Sequence, residues 1–287
     1  ILRKEEQIYM KKNWALLLVL ALSLLLAACG TSNSDSGSDT DSDSKLVVGA
    51  SNVPHAEILE QAIPLLEEQG IELEVVTFTD YVLPNKSLAE GDLDANYFQH
   101  IPYLESQIAD NGYDFVNAGG IHIEPIGVYS QKYDSLEELP EGAEIIMSSS
   151  VPDHGRILSL LEAEGLITLK DGIDKTTATI DDIVDNPKNL TFKTDIDAAL
   201  LPQVYKNGEG DAVLINSNYA LDAGLDPAKD PIAIESSTDN PYVNVIAVKS
   251  EDADSENIKA LVDVLKSEEI QDFITETYGG SVVPVTE

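Results

Sequence analysis

The sequence predicts an α/β protein of two lobes with a ligand cleft between them, and three observations carry that prediction. From Leu46 onward, strand-type and helix-type segments alternate across short turns, the pattern of a largely parallel sheet covered by helices. A second alternating set starts near Gly127, and a strong strand and a long helical segment follow it, so the first set is interrupted by the second. The roughly 240 residues from Leu46 to Glu287 suffice for two small domains with real cores.

The first strand is Leu46–Ala50. After Ser51-Asn52-Val53-Pro54 comes a helix whose apolar residues Ile58, Leu59, Ala62, Ile63 and Leu66 share one face before Gly70 stops it. β-Branched residues make Leu73–Phe78 the second strand, and a short helix spans about Lys86–Glu90. Leu93–Phe98 is the third strand, with helix Ile101–Ala109 after it. In the second set, strand Ala143–Met147 feeds a helix from about Asp153 to Glu164, strand Leu190–Lys193 feeds helix Ile196–Tyr205, and strand Ala212–Ile215 feeds a short helix around Tyr219. The chain returns through strand Val243–Val248 and one long amphipathic helix marked by Ile258, Leu261, Val262, Leu265, Phe273 and Ile274. The expected lobes are 45–126 plus 246–287, and 127–245, with crossings near 125–130 and 238–246. Ligands of such sheets sit beyond the carboxyl ends of the strands, and the crossing segments absorb the dihedral change when lobes close.

Ahead of this region, Met10, Lys11 and Lys12 precede an apolar run from Trp14 to Leu26, followed by Ala27, Ala28 and Cys29. A basic start, an apolar stretch short for a bilayer and small residues before a cleavage point mark a secretory signal. Cys29, the sole cysteine, directly follows the small residues and turns this into a lipoprotein signal. The mature chain is expected to begin there, held on the extracytoplasmic face of the cell membrane by two or three acyl chains such as palmitate, because one chain binds only marginally at ~0.8 kcal/mol per buried methylene. A single cysteine also excludes an intramolecular disulfide. Residues 1–9 place Glu5 and Glu6 ahead of a signal that needs positive charge and read as an over-long start. Residues 30–44 are Ser, Asp, Thr, Asn and Gly, a composition that cannot offset its ordering entropy and makes a flexible tether.

The chain has 17 basic and 52 acidic residues, a formal net charge of −35, and loss of the signal removes more basic than acidic groups. That field disfavours nucleic acid and polybasic attachment to anionic lipid. There is no Gly-x-x-x-x-Gly-Lys-Ser/Thr loop, so ATP hydrolysis is not expected of this chain, and neither a cofactor nor a catalytic residue is needed. A tethered, exported, hinged clamp is most simply a solute-capture protein, expected as a monomer.

Six segments then acquire a joint meaning. They are Val53–Leu59 (VPHAEIL), Phe78–Asn85 (FTDYVLPN), Leu93–Leu104 (LDANYFQHIPYL), His122–Gly127 (HIEPIG), Ile215–Ala220 (INSNYA) and Pro241–Ile246 (PYVNVI). In this order, and over essentially the whole mature length, they resemble the NlpA/MetQ family of methionine-binding lipoproteins. The resemblance implies a type II periplasmic-binding-protein-like fold. It also implies capture of L- or D-methionine by closure of two lobes, and delivery to an ABC permease driven by a separate ATPase.

A free amino acid brings a carboxylate, an ammonium and a side chain, so its pocket needs a guanidinium, oxygen acceptors and an apolar slot. Arg156, the only arginine after Arg3, matches the family's Gly-Arg pair and is the candidate carboxylate clamp, expected in the first turn of the helix beginning near Asp153. Phe78, Tyr81, Phe98 and Tyr103 are candidate walls of the slot, suited to a thioether at ~0.3–1.5 kcal/mol per contact. His100, two residues beyond Phe98 and expected on the same side of the strand, is a candidate hydrogen-bond partner. Asn216 and Asn244 supply amides at the cleft, with Asn218 as the substitute for Asn216.

One departure matters. Where the family usually carries an Asn-Asp-Pro-Thr-Asn-like stretch before the Gly-Arg pair, this chain has Ser149-Ser150-Val151-Pro152-Asp153-His154. A methionine-containing dipeptide or another apolar amino acid is therefore an alternative ligand. A metal-capturing lipoprotein is a lesser rival, because His122 and Glu124 share one strand face while His55, His100 and His154 are scattered. An exported hydrolase is weaker still: Ser148, Ser149 and Ser150 lie near His154, but no Gly-x-Ser-x-Gly elbow is present.

Overall fold

The computed structural model describes residues 44–285; the secretory signal, Cys29 and nearly all of the tether lie outside the described residues. The first sheet comprises β1 (Lys45–Ser51), β2 (Glu72–Phe78), β3 (Ala95–His100), β4 (Phe115–Ile123), β12 (Val243–Lys249) and β13 (Val283–Pro284), in the order β13-β4-β12-β3-β1-β2. The second comprises β5 (Gly127–Tyr129), β6 (Glu144–Ser148), β9 (Thr191–Ile196), β10 (Ala212–Ile215) and β11 (Ala233–Ile234), in the order β11-β5-β10-β6-β9. A small antiparallel pair, β7 (Thr168–Leu169) and β8 (Ile183–Asp185), stands apart. The chain crosses between the sheets after β4 and again after β11, and the second crossing is complete by Val243, which already pairs with Ile123. Parallel pairing of β1 with β2 and β3, and of β6 with β9 and β10, makes one half of each sheet parallel, while the other half, through β12, β4 and β13 and through β5 and β11, is antiparallel.

Helices cover both faces of each sheet. Over the first, α1 (Glu57–Glu67), α7 (Glu256–Leu265) and α8 (Glu268–Tyr278) bury Ile58, Leu59, Leu261 and Ile274 against Val48, Tyr97 and Ile246. On its other face, α2 (Leu83–Glu90) and α3 (Ile101–Asn111) bring Leu88 and Leu104 onto Phe115 and Val245. Full burial of each such aliphatic side chain stabilises by about 1.5–3 kcal/mol. The second sheet shows the strand period directly: Ala212 and Leu214 meet α4 (Val151–Ala163), while Val213 and Ile215 meet α5 (Leu201–Lys206) and α6 (Ser217–Asp222). No helix among the described residues is long and apolar enough to cross a membrane.

Several elements differ from the sequence pattern. The long C-terminal helix is two helices, because Ser267 adopts extended φ/ψ of −64° and 152° and its hydroxyl donates to the Val264 carbonyl at 2.6 Å. Glu268 and Glu269 then open α8, where carboxylates suit the positive helix end. Both helices still pack on α1, so the shared apolar face survives the break. Ile196 ends β9 rather than starting a helix, since Asp197 accepts the Ala199 N–H at 2.9 Å and caps a 3₁₀ turn at Ala198–Leu200. β4 had no strand signal because Gly119 and Gly120 interrupt it. A Cβ on Gly119 would lie 2.6 Å from Val262 on α7, and one on Gly120 2.7 Å from Val243.

α4 begins at Val151, so Arg156 falls in its second turn rather than its first. The preceding glycine is dictated by packing: a Cβ on Gly155 would sit 2.2 Å from the Lys175 carbonyl oxygen and 2.7 Å from that of Thr176. Alanine gains about 1 kcal/mol of helix propensity, but overpacking against fixed backbone costs about 1–3 kcal/mol. Gly155→Ala is therefore expected to lower the urea midpoint of unfolding, and a raised midpoint would contradict the close approach.

Candidate functional site

Between the two sheets lies a small cavity lined by side chains of both lobes. Tyr81, Phe98, Tyr103 and Asn244 reach it from the first lobe, and Asp153, Arg156, Asn216 and Asn218 from the second. Of the residues singled out in the sequence, His100 also lines it and Phe78 does not. Phe78 packs with Leu88, Leu93 and Leu104 on the far side of the first sheet. Alternation along β2 fixes that it faces one layer, but not which one.

The apolar side of the cavity is aromatic. Ring centroids of Tyr81, Phe98 and Tyr103 lie 5.9–6.1 Å apart, and Tyr219 stands 4.9 Å from Tyr81. Their hydroxyls are committed: Tyr103 donates to the Tyr81 carbonyl at 2.9 Å, and Tyr81 donates across the cleft to Asn218 Oδ1 at 2.6 Å. What these rings present inward is therefore carbon. Gln99 joins Phe98 and His100 in the lining, because the register of β12 on β3 shifts between Val245 and Ile246 and re-aims the strand end.

The polar side centres on Asp153 and Arg156, three residues apart on α4 and both almost fully buried. His100 Nδ1 accepts the Tyr103 N–H at 3.1 Å at the start of α3, which leaves Nε2 as the N–H that donates across the lobes to Asp153 Oδ1 at 3.0 Å. Asn216 donates to Asp153 Oδ2 at 3.2 Å, and its own Oδ1 is buried without a partner. An unmatched acceptor beside a carboxylate is the complement of an ammonium group. Burial alone would raise the Asp153 carboxyl, but the His100 hydrogen bond, Arg156 and Asn216 outweigh it and hold the pKa at about 2.

Arg156 does not offer a free fork. Its Nε lies 3.1 Å from both carboxylate oxygens of Glu235, Nη2 also donates to Glu235, and Nη2 donates to the Glu124 carbonyl at 2.7 Å. Nη1 stands 3.9 Å from Asp153 Oδ1, and the guanidinium carbon lies 4.6 Å over the Tyr242 ring. Burial opposes the charge, and Glu235 more than compensates, so the guanidinium stays ionised. Glu235 also accepts the Ile126 N–H at 3.2 Å, and its own N–H donates to the Ile126 carbonyl at 3.0 Å. The cation that faces the cavity thus ties together the two segments that cross between lobes.

Below the polar side, Glu124 takes a hydrogen bond from His122 Nε2 at 2.8 Å and has His55 Nε2 3.2 Å away, with all three buried. These are the described residues that could hold a metal ion. The 2.8 Å separation of His122 Nε2 from Glu124 is that of a hydrogen bond between the groups themselves, and His55 Nε2 is bonded to Asn244 at 3.0 Å. Burial pushes His55 down to about 4 and His122 down to about 3, leaving both neutral, and pushes Glu124 up from the usual carboxylate range.

Sequence reasoning passed over Asp153 and Glu235 and weighed Glu124 only as a metal ligand beside His122, since carboxylates are everywhere in this chain. Glu124 and Asp153 did stand inside stretches that drew notice, next to His122 and Arg156. His154, by contrast, bonds the Ser148 carbonyl at 2.9 Å and takes no part in the lining.

The family model described as NlpA lipoprotein matches residues 46–286. The methionine-binding lipoprotein MetQ of Bacillus subtilis is 51% identical over 244 residues, covering 85% of this chain and 89% of that protein. A nutrient-binding protein from Burkholderia cenocepacia, solved bound to methionine, superposes with a TM-score of 0.78 at 44% identity, covering 83% of this chain and 99% of that one. A periplasmic substrate-binding protein of an ABC transporter from Coxiella burnetii has a TM-score of 0.78 at 38% identity over 84% of this chain and 100% of its own. The two-lobed periplasmic-binding architecture expected from the sequence is the one these neighbours share.

Proposed function

The chain belongs to the NlpA lipoprotein family, and on that premise we propose that it captures methionine between its two lobes for an ABC importer. The observation that carries the reading is the pairing, in one buried cavity, of an aromatic slot with the unpartnered Asn216 Oδ1 beside Asp153 and the inward side of Arg156. The ammonium would take Asn216 Oδ1, the carboxylate would take Nη1 of Arg156 and the amide of Asn244, and the thioether would lie against Tyr81, Phe98 and Tyr103. Site roles for Tyr81, Phe98, His100, Tyr103, Arg156, Asn216 and Asn244 belong to this proposal. The names of the relatives support the choice of ligand.

Contacts from both lobes, His100 to Asp153 and Tyr81 to Asn218 among them, make the closed arrangement the one a ligand would favour. Capture and release of this kind need no covalent step, so we read the chain as a binding protein and not an enzyme. We place it on the outer face of the membrane, anchored through Cys29, with a permease and a separate ATPase as partners.

Native mass spectrometry and thermal-shift titration of the purified protein with L-methionine, D-methionine, Gly-Met and the remaining amino acids test the reading. A stabilisation confined to methionine, of about 2.7 kcal/mol at a hundredfold excess over Kd, is expected. A shift with Gly-Met alone would replace the amino acid by the dipeptide, and no shift with any of them would refute the reading.

A further inference from the structure

We propose that His55 is a positioning residue for ligand capture: its Nε2–H holds Asn244 Oδ1 and thereby turns the Asn244 amide N–H pair into the cavity as a donor for the ligand carboxylate. The proposal rests on the reading of the cavity as an amino-acid site.

His55 sits in the turn Asn52–Ala56 that leads into α1, with 1% of its surface exposed. Its Nε2 lies 3.0 Å from Asn244 Oδ1 and 3.2 Å from Glu124 Oε1, whereas its Nδ1 is buried with no partner. The tautomer follows from those distances. A hydrogen on Nδ1 would bury an unpaired donor and set the Nε2 lone pair against a carboxylate oxygen. A hydrogen on Nε2 serves Asn244 Oδ1, faces the Glu124 carboxylate favourably and leaves only a lone pair unmatched. His122 repeats the arrangement: the Tyr97 hydroxyl donates to its Nδ1, and its Nε2 donates to the same Glu124 oxygen at 2.8 Å. Every group around that oxygen is then a donor.

With Nε2 as donor, the Asn244 amide has one orientation. Turned over, it would place N–H2 against N–H at 3.0 Å. Asn244 stands on β12 opposite both His100 and His122, so strands on both sides fix its backbone. It lines the cavity, and no described residue takes a hydrogen bond from its Nδ2. His55 itself is absent from the lining and acts only through the amide.

The test uses the full chain in detergent, titrated calorimetrically with L-methionine. His55→Leu is expected to weaken binding about 10- to 100-fold, the scale of an amide left unoriented and unpaired. His55→Gln, which returns an N–H at the same reach, is expected to bind within about threefold of the parent. In an Asn244→Ala background, adding His55→Leu is expected to change affinity by less than about twofold. Unchanged affinity in His55→Leu, or the same loss whether or not Asn244 is present, would overturn the proposal. Long-range ¹H–¹⁵N spectra of the unliganded protein decide independently of ligand and of whether the leucine variant folds: an Nε2–H tautomer at His55 is expected, and an Nδ1–H tautomer overturns it. A parent chain that binds no methionine would refute the functional reading, while the tautomer would still decide the positioning claim.

Discussion

Arg156→Ala is expected to abolish methionine capture and to destabilise the fold at the same time. The guanidinium is 3% exposed and answers three demands: the Glu235 carboxylate, the Glu124 carbonyl and the cavity. Removing it leaves Glu235 unpaired and takes a cation away from Asp153, and breaking a buried ion pair from one side costs about 3–5 kcal/mol. Binding should fall by at least about a hundredfold, because the loss includes both a direct contact and the link between the crossing segments. Lysine is not expected to rescue either property, since a point charge cannot reproduce the planar fork that meets Glu235 with Nε and Nη2 together. Calorimetry with L-methionine and a urea titration of the same variant provide the check; parental affinity in Arg156→Ala would remove Arg156 from the site.

The second large effect is acid sensitivity well above the ordinary carboxylate range. Both floor histidines are held neutral by burial, His55 at about 4 and His122 at about 3, against an unfolded value near 6.5. The unfolded chain therefore binds more protons as pH drops below 6.5, so stability falls from there downward. Each histidine contributes up to about 3 kcal/mol of loss by pH 4. Glu124 opposes part of this, because its raised folded-state pKa lets the native protein take up a proton first. Asp153 acts lower down: its depressed pKa adds stability that is complete above about 4 and is lost as pH falls toward about 2. Urea midpoints measured from pH 7 to pH 4 are expected to decline throughout, with a shallower decline in His122→Gln. A flat profile over that interval would mean that the histidines are not buried neutral.

What the sequence could reveal followed the reach of its signals. Alternating strand and helix patterns, with a second set inserted in the first, were enough for the two lobes, because periods of 2 and 3.6 are local properties. β4 escaped because its glycines answer to Val262 and Val243, residues more than a hundred positions away. The break at Ser267 escaped because the apolar face continues through it. At the site, the aromatic and amide residues were legible by type and order. Phe78 was not, since which face of β2 it joins is decided by packing against α2 and α3. The partners of Arg156 were hidden for a related reason: Glu235 is one acidic residue among 52, and only the return of the second crossing segment brings it to the guanidinium.

The knot of Arg156, Glu235 and Ile126 sits where the chain passes between lobes, whereas Tyr81 meets Asn218 and Asn52 meets Asp222 across the gap. In mechanical terms the former is a fulcrum and the latter are the tips of two lever arms. On the proposed reading, a ligand carboxylate held by Nη1 engages the fulcrum directly, while Tyr81 and Asn218 line the same cavity from either side. Stiffness at the fulcrum, together with grip at the tips, then sets how readily such jaws respond to a small molecule.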